Sequence, residues 1–167
     1  MSILVLGGAR SGKSRLAERL AVESGLKRVY VATAQAFDDE MVERVRLHQE
    51  RRGQGWETHE ESLKLLTVLE KVASPAHFVL VDCVTLWVTN LLLAEADVEA
   101  EVEALCDRLP ALAGTVCLVS NEVGLGIVPD NALARRFRDL AGLANQRLAA
   151  TCDTVTFVAA GLPLQLK

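Results

Sequence analysis

A three-layer α/β fold, a mostly parallel sheet covered by helices on both faces, is the architecture this sequence predicts. Three observations carry the expectation. Five short β-rich runs, residues 3–6, 28–32, 78–82, 115–119 and 154–158, alternate with stretches of helical spacing. Strands separated by helices pair in parallel and need both faces covered. Half of the 167 residues are hydrophobic, which suffices for a packed core on each side of such a sheet. The first run also leads into a glycine-rich turn and then a helix, the order a phosphate-binding loop requires. No repeat, linker or low-complexity stretch divides the chain, so a single domain over residues 1–167 is expected.

The turn is Gly7, Gly8, Ala9, Arg10, Ser11, Gly12, Lys13 and Ser14, which matches G-x-x-x-x-G-K-[ST]. Its glycines let several backbone N–H groups converge on one anion, and the helix dipole adds positive potential there. Lys13 is placed to reach the β- and γ-phosphates, and Ser14 to put its hydroxyl on Mg²⁺. A glycine-rich turn that merely joins strand to helix is the alternative, and the strand–turn–helix context argues against it. A nucleoside triphosphate is the expected ligand.

Composition narrows the partners. The net charge of −4 gives no basic field that would favour nucleic acid. Cys83, Cys106, Cys117 and Cys152 form no C-x-x-C pair and lie at no zinc-ligand spacing from a histidine. Cys83 and Cys117 read as small buried hydrophobes. A reduced cytoplasm is the expected setting, with no signal peptide and no transmembrane run of about 18 apolar residues.

Along the chain, Gly25 suits the C-terminal end of the first helix. The second run ends in Ala32, Thr33, Ala34 and Gln35, at the strand edge where open α/β sheets place ligands. An ordinary loop explains these residues equally well. Residues 38–40 are acidic and suit a helix N-terminus, with the helix running over residues 41–52 to Gly53. Met41, Val45 and His48 share one face of it, and Arg44, Arg51 and Arg52 sit one turn from His48. Those cations disfavour the imidazolium, keeping the ring neutral and nucleophilic, and they can also grip phosphate oxygens. Such a ring is what phosphoryl or nucleotidyl transfer through a covalent histidine needs. The competing reading is an amphipathic surface helix whose histidine packs partly on the core.

A short extended piece is expected within residues 56–61, then a helix from Ser62 to Val72. The run over residues 78–82 ends in Asp82, whose carboxylate can hold Mg²⁺; the alternative is an aspartate capping the next helix, a task Thr85 can also perform. Residues 86–93 read as a buried helix and residues 98–112 as another with an acidic outer face. The fourth run ends in Ser120, Asn121 and Glu122, polar residues at the carboxyl edge where a second substrate or a catalytic water would be met. A loop over residues 126–130 precedes a long helix, residues 131–150, whose arginines read as a solvated face. After the fifth run, an irregular tail is expected from Ala159.

Taken together, these residues resemble the bifunctional adenosylcobinamide kinase / adenosylcobinamide-phosphate guanylyltransferase family of cobalamin biosynthesis. The resemblance rests on the opening glycine-rich motif, Tyr30 to Ala34, Glu43 to Arg52 around His48, and Trp56 to Glu60. It continues through Val81-Asp82-Cys83 to Leu92, Ser120 to Gly124, and Gly126 to Ala149. It implies a RecA-like P-loop NTPase fold, assembled as a trimer with the site near a subunit boundary. It implies phosphorylation of adenosylcobinamide by ATP or GTP, then transfer of GMP from GTP to adenosylcobinamide phosphate, with Mg²⁺ in attendance. It places the guanylylated histidine at His48, with Lys13 as a catalytic partner. Nucleotide contacts fall on Gly7 to Ser14, Ala32, Thr33, Ala34, Gln49, Glu50, Arg51, Arg52, Glu60 and Asp82, and the metal on Ser14 and Asp82. Some members carry Glu where this chain has Asp82. Two rivals remain at this point: another small-molecule P-loop kinase in which His48 is structural, and a nucleotide-dependent switch without transfer chemistry.

Overall fold

The computed structural model describes residues 1–34 and 54–167. His48, Gln49, Glu50, Arg51 and Arg52, with the helix expected over residues 41–52, lie outside the described residues. Among those described, seven strands form one sheet: β1 Ser2–Gly7, β2 Lys27–Ala32, β3 Trp56–Glu60, β4 His77–Asp82, β5 Thr115–Asn121, β6 Thr154–Ala159 and β7 Leu162–Gln165. Their order is β3-β2-β4-β5-β1-β6-β7. The first six are mutually parallel, and β7 pairs antiparallel with β6. The helices are α1 Lys13–Glu23, α2 Leu65–Val72, α3 Val84–Leu93, α4 Val98–Arg108 and α5 Ala132–Thr151.

Side-chain alternation along each strand builds two cores, because successive residues point to opposite faces. Ile3, Val5, Tyr30, Phe78, Leu80, Cys117 and Val119 pack with Ala17 and Ala21 of α1 on one face. Leu4, Leu6, Val29, Val31, Val79, Val81, Val116 and Leu118 pack on the other with α2, α3, α4 and α5, through Leu65, Leu69, Trp87, Leu105 and Leu148. Strands apolar on both faces are what a covered parallel sheet requires. Each fully buried leucine or phenylalanine contributes roughly 1.5–3 kcal/mol relative to exposure. The three-layer expectation holds.

Several boundaries differ from expectation, each for a local reason. Among the described residues the sheet has seven strands rather than five. The polar segment Trp56–Glu60 is a full edge strand, held by parallel register with β2 from Arg28↔Trp56 to Ala32↔Glu60 and by the Trp56 ring lying edge-on to Tyr30, their centroids 6.0 Å apart. The expected tail instead turns back as β7. Ala160 and Gly161 both have positive φ (51° and 81°), the signature of a two-residue type I′ hairpin. Helix α2 starts at Leu65, since the Glu61 carboxylate first accepts the N–H groups of Leu63 and Lys64 at 2.8 Å each. Helix α4 stops at Arg108 and gives way to a 3-10 turn, Leu109–Ala111, because Pro110 has no N–H to continue an α-helical ladder. Gly25, with φ of 68°, follows α1 as expected.

Cys117 and Cys152 are fully buried. Desolvation pushes the Cys152 thiol up to about 12 and raises that of Cys117, whereas unfolded thiols ionise near ~8.5. The unfolded chain alone therefore releases these protons on the alkaline side. Their contribution is complete below roughly pH 8.5 and shrinks as pH rises toward 12. Urea midpoints should accordingly decline above about pH 9. A Cys117→Ala, Cys152→Ala double variant should show a shallower decline, and an unchanged slope would contradict the assignment.

Candidate active site at the carboxyl edge of the sheet

The glycine-rich motif leaves the carboxyl end of β1 and enters α1 at Lys13. Gly7 is there because nothing larger fits: a Cβ on it would meet the Val158 carbonyl oxygen at 2.4 Å and Ser11 Oγ at 2.6 Å. Arg10 and Gly12 take positive φ, 55° and 100°, which curls the loop back over the start of α1. Inside the curl, the Ser11 N–H donates to the Gly8 carbonyl at 3.3 Å. From outside, the Gly161 N–H donates to the Ser11 carbonyl at 2.8 Å. The hairpin between β6 and β7 thus buttresses the loop. Sequence reasoning missed that support, because an alanine stands where the turn usually takes Asn, Asp or Gly.

Lys13 is buried, and its Nζ donates to the Gly8 carbonyl at 2.8 Å. Desolvation lowers its pKa, while nearby Cys83 and Asp82 oppose that shift. An ammonium held inside the loop it would serve has little rearrangement to make when phosphate oxygens arrive. Ser14, one residue on, is half-buried.

Parallel register brings other expected residues together. Ala32 pairs with Glu60 on one side and with Asp82 on the other, so the three form one row at the carboxyl edge. Ser11 Oγ and Asp82 Oδ2 are buried without a hydrogen-bond partner among the described residues. Buried oxygens are normally satisfied, so the orphaned oxygen of Asp82, a carboxylate that acts electrostatically on Lys13, has the chemistry to take a cation. The donor set fits magnesium, which takes one or two protein oxygens and fills its octahedron with phosphate and water. Asp82 does not cap α3, whose N-cap is Cys83 without a side-chain cap bond.

Thr33 sits deeper than a contact residue needs to. Its hydroxyl donates to the Cys83 carbonyl at 2.7 Å and accepts from the Cys83 N–H at 2.8 Å. Its carbonyl accepts from Asn90 Nδ2 at 2.8 Å, and Asn90 also donates to Ser62 at 3.1 Å. The group pins the end of β2 to the end of β4 and so fixes where Ala34 and Asp82 stand. Thr85 is likewise committed elsewhere than a cap: its hydroxyl accepts from the Asn121 N–H at 2.6 Å. Asn145 of α5 accepts from Ser120 at 2.7 Å and donates to the Asn121 carbonyl at 3.0 Å. Thr85 and Asn145 therefore hold the end of β5 in place from two helices.

A cleft of ≈ 740 Å³ opens over the loop, lined by Gly8 to Ser11 on the loop, Glu122, Val123, Leu125 and Gly126 after β5, and Phe157 to Ala160 at the hairpin. The Glu122 N–H donates to the Gly7 carbonyl at 3.0 Å. Its carboxylate accepts from the N–H groups of Gly124 (2.6 Å) and Leu125 (3.2 Å).

Comparison with known proteins adds the chemistry that geometry alone leaves open. The family described as cobinamide kinase / cobinamide phosphate guanyltransferase matches residues 3–166. The bifunctional adenosylcobalamin biosynthesis protein CobP of Pseudomonas aeruginosa is 53% identical, over 100% of this chain and 98% of that protein. The bifunctional adenosylcobalamin biosynthesis protein CobU of Salmonella typhimurium is 43% identical over the full length of both. Among solved structures, the RadB recombinase has a TM-score of 0.57 at 20% identity, over 93% of this chain and 73% of that one. The flagellar accessory protein FlaH of Methanocaldococcus jannaschii has a TM-score of 0.54 at 14% identity, covering 99% and 77%. At those identities the likeness concerns the P-loop NTPase fold alone.

Proposed function

The chain belongs to the cobinamide kinase / cobinamide phosphate guanyltransferase family, and on that premise we propose that one nucleotide site at the carboxyl edge serves both transfers. The observation that carries this reading is the loop that curls around Lys13, with the unpartnered Asp82 oxygen close to it. In the kinase step the adenosylcobinamide hydroxyl attacks the γ-phosphorus of ATP or GTP, and the nucleoside diphosphate leaves. In the guanylyl step the neutral imidazole of His48 attacks the α-phosphorus of GTP, and pyrophosphate leaves. An oxygen of adenosylcobinamide phosphate then attacks the resulting phosphoramidate, releasing His48 and giving adenosylcobinamide-GDP.

Gly7 to Ser14, Ala32, Ala34, Gln49 to Arg52, Glu60 and Asp82 make the nucleotide contacts in this scheme, whereas Thr33, buried and bonded to Cys83 and Asn90, anchors the strand end behind them. Lys13 and the loop N–H groups neutralise charge on the phosphoryl oxygens, the main requirement of such transition states. Ser14 and Asp82 would hold Mg²⁺, which when bound supplies further positive charge to the triphosphate. Support for His48 as nucleophile comes from its arginine flanks in the sequence, Arg44, Arg51 and Arg52.

The reading extends to a single-domain, cytoplasmic enzyme that does not act on nucleic acid and assembles as a homotrimer. No helix among the described residues is long and apolar enough to cross a membrane. Ile127, Leu162 and Leu164 expose apolar surface that a subunit contact would cover. The deciding experiment incubates the protein with Mg²⁺ and GTP labelled at the α-phosphate, then denatures it. Acid-labile, base-stable label should remain on the chain. Absence of label at GTP concentrations that saturate the site would sink the covalent route.

A further inference from the structure

The two transfers make different demands on the acceptor. An alcohol that attacks γ-phosphorus must lose its proton as the O–P bond forms. A phosphate monoester that attacks phosphoramidate is already anionic and has no proton to give up. A general base is therefore needed in the kinase step alone, and it must stand at the γ end of the glycine-rich loop.

Of the carboxylates described at this edge, Glu60 ends β3, which stands four strands away from β1, roughly 19 Å at ~4.8 Å per strand. Asp82 lies close to Lys13 and has the character of a cation ligand. Glu122 differs from both. Its backbone is bonded to Gly7, and the residue lines the same cleft as Gly8, Ala9, Arg10 and Ser11. A carboxylate has about four lone-pair positions. The N–H groups of Gly124 and Leu125 engage one on each oxygen, which fixes the orientation and leaves each oxygen able to accept again. Beside it the cleft is lined by Val123, Leu125 and Gly126, with Leu125 85% exposed, an apolar approach suited to a bulky acceptor.

We propose that Glu122 is the general base of the kinase step, taking the proton of the cobinamide hydroxyl as its oxygen bonds to γ-phosphorus and the nucleoside diphosphate departs. The inference rests on the kinase reading above. The test compares Glu122→Gln with wild type in both transfers, since glutamine keeps a carbonyl acceptor for the turn but binds no proton at neutral pH. The kinase kcat should fall by at least ~10²-fold, with the nucleotide KM little changed and with a loss at least tenfold greater than that in GMP transfer to cobinamide phosphate. Equal losses in both transfers would overturn the proposal and leave Glu122 a loop anchor, and so would a kinase kcat within threefold of wild type. Should Glu122→Gln fail to fold, Glu122→Ala that still binds Mg-GTP is assayed with formate. Formate-dependent recovery of the kinase rate supports the base, and no recovery overturns it. A wild-type enzyme inert on cobinamide would overturn the kinase reading itself, whereas an active wild type with an unimpaired Glu122→Gln overturns only the base.

Discussion

Lys13→Ala should lower both transfers together, each by about 10²–10³-fold in kcat/KM, the usual loss for one removed charge-stabilising donor. The argument starts from position. Lys13 is buried and already bonded to the Gly8 carbonyl, so its ammonium is held by the same loop that would hold the phosphates. On the proposed scheme it would face the bridging oxygen where negative charge collects as γ-phosphoryl leaves in the kinase step. In the guanylyl step the departing pyrophosphate comprises those same β- and γ-phosphates. A single cation would thus serve two bond cleavages, because the fragment it grips in the proposed scheme is common to both. Asp82 would lose a neighbouring positive charge in the variant, so circular dichroism and a melting curve accompany the assay. Side-by-side measurement of the two rates is decisive. Kinase activity at the wild-type level, with guanylyl transfer lost, would mean that the two reactions do not share one cradle.

Legibility in the sequence followed the range of the interactions. Gly7 to Ser14 could be read directly, because a phosphate cradle is built within eight consecutive residues and its glycines answer to backbone geometry. Strands buried on both faces announced themselves for the same local reason. Trp56–Glu60 showed only as a short extended piece, since an edge strand needs no apolar alternation and is held by register with β2. The β6–β7 hairpin was hidden by Ala160, which occupies a positive-φ position that composition assigns to other residues. Harder still were Thr33, Asn90, Thr85 and Asn145. Their partners lie 24–57 residues away in the chain, so no window along the sequence contains both ends of any of these bonds. Glu122 stood out as a polar residue at a strand end, but its bond to Gly7 exists only because β5 and β1 are neighbours.

His48→Ala should abolish GMP transfer, by at least ~10⁴-fold, the scale on which loss of a covalent nucleophile is felt, while phosphorylation of cobinamide survives. Phosphoryl transfer to a hydroxyl is a single in-line displacement and needs no intermediate on the protein. On the route proposed above, GMP transfer proceeds through a P–N bond to His48, and without an imidazole there is nothing for the α-phosphorus to be handed to. The residues that grip the triphosphate tail, Lys13 and the loop, are untouched by the change, so nucleotide binding should persist. Three measurements on one variant separate the possibilities: retained α-label after denaturation, GMP transfer to cobinamide phosphate, and γ-phosphate transfer to cobinamide. Label lost with the kinase rate retained is the expected pattern. Label retained would assign the covalent link to another residue. Loss of all three activities despite unchanged GTP binding would mean that His48 also orders the γ end of the site, and the division of labour between His48 and Glu122 would fall with it.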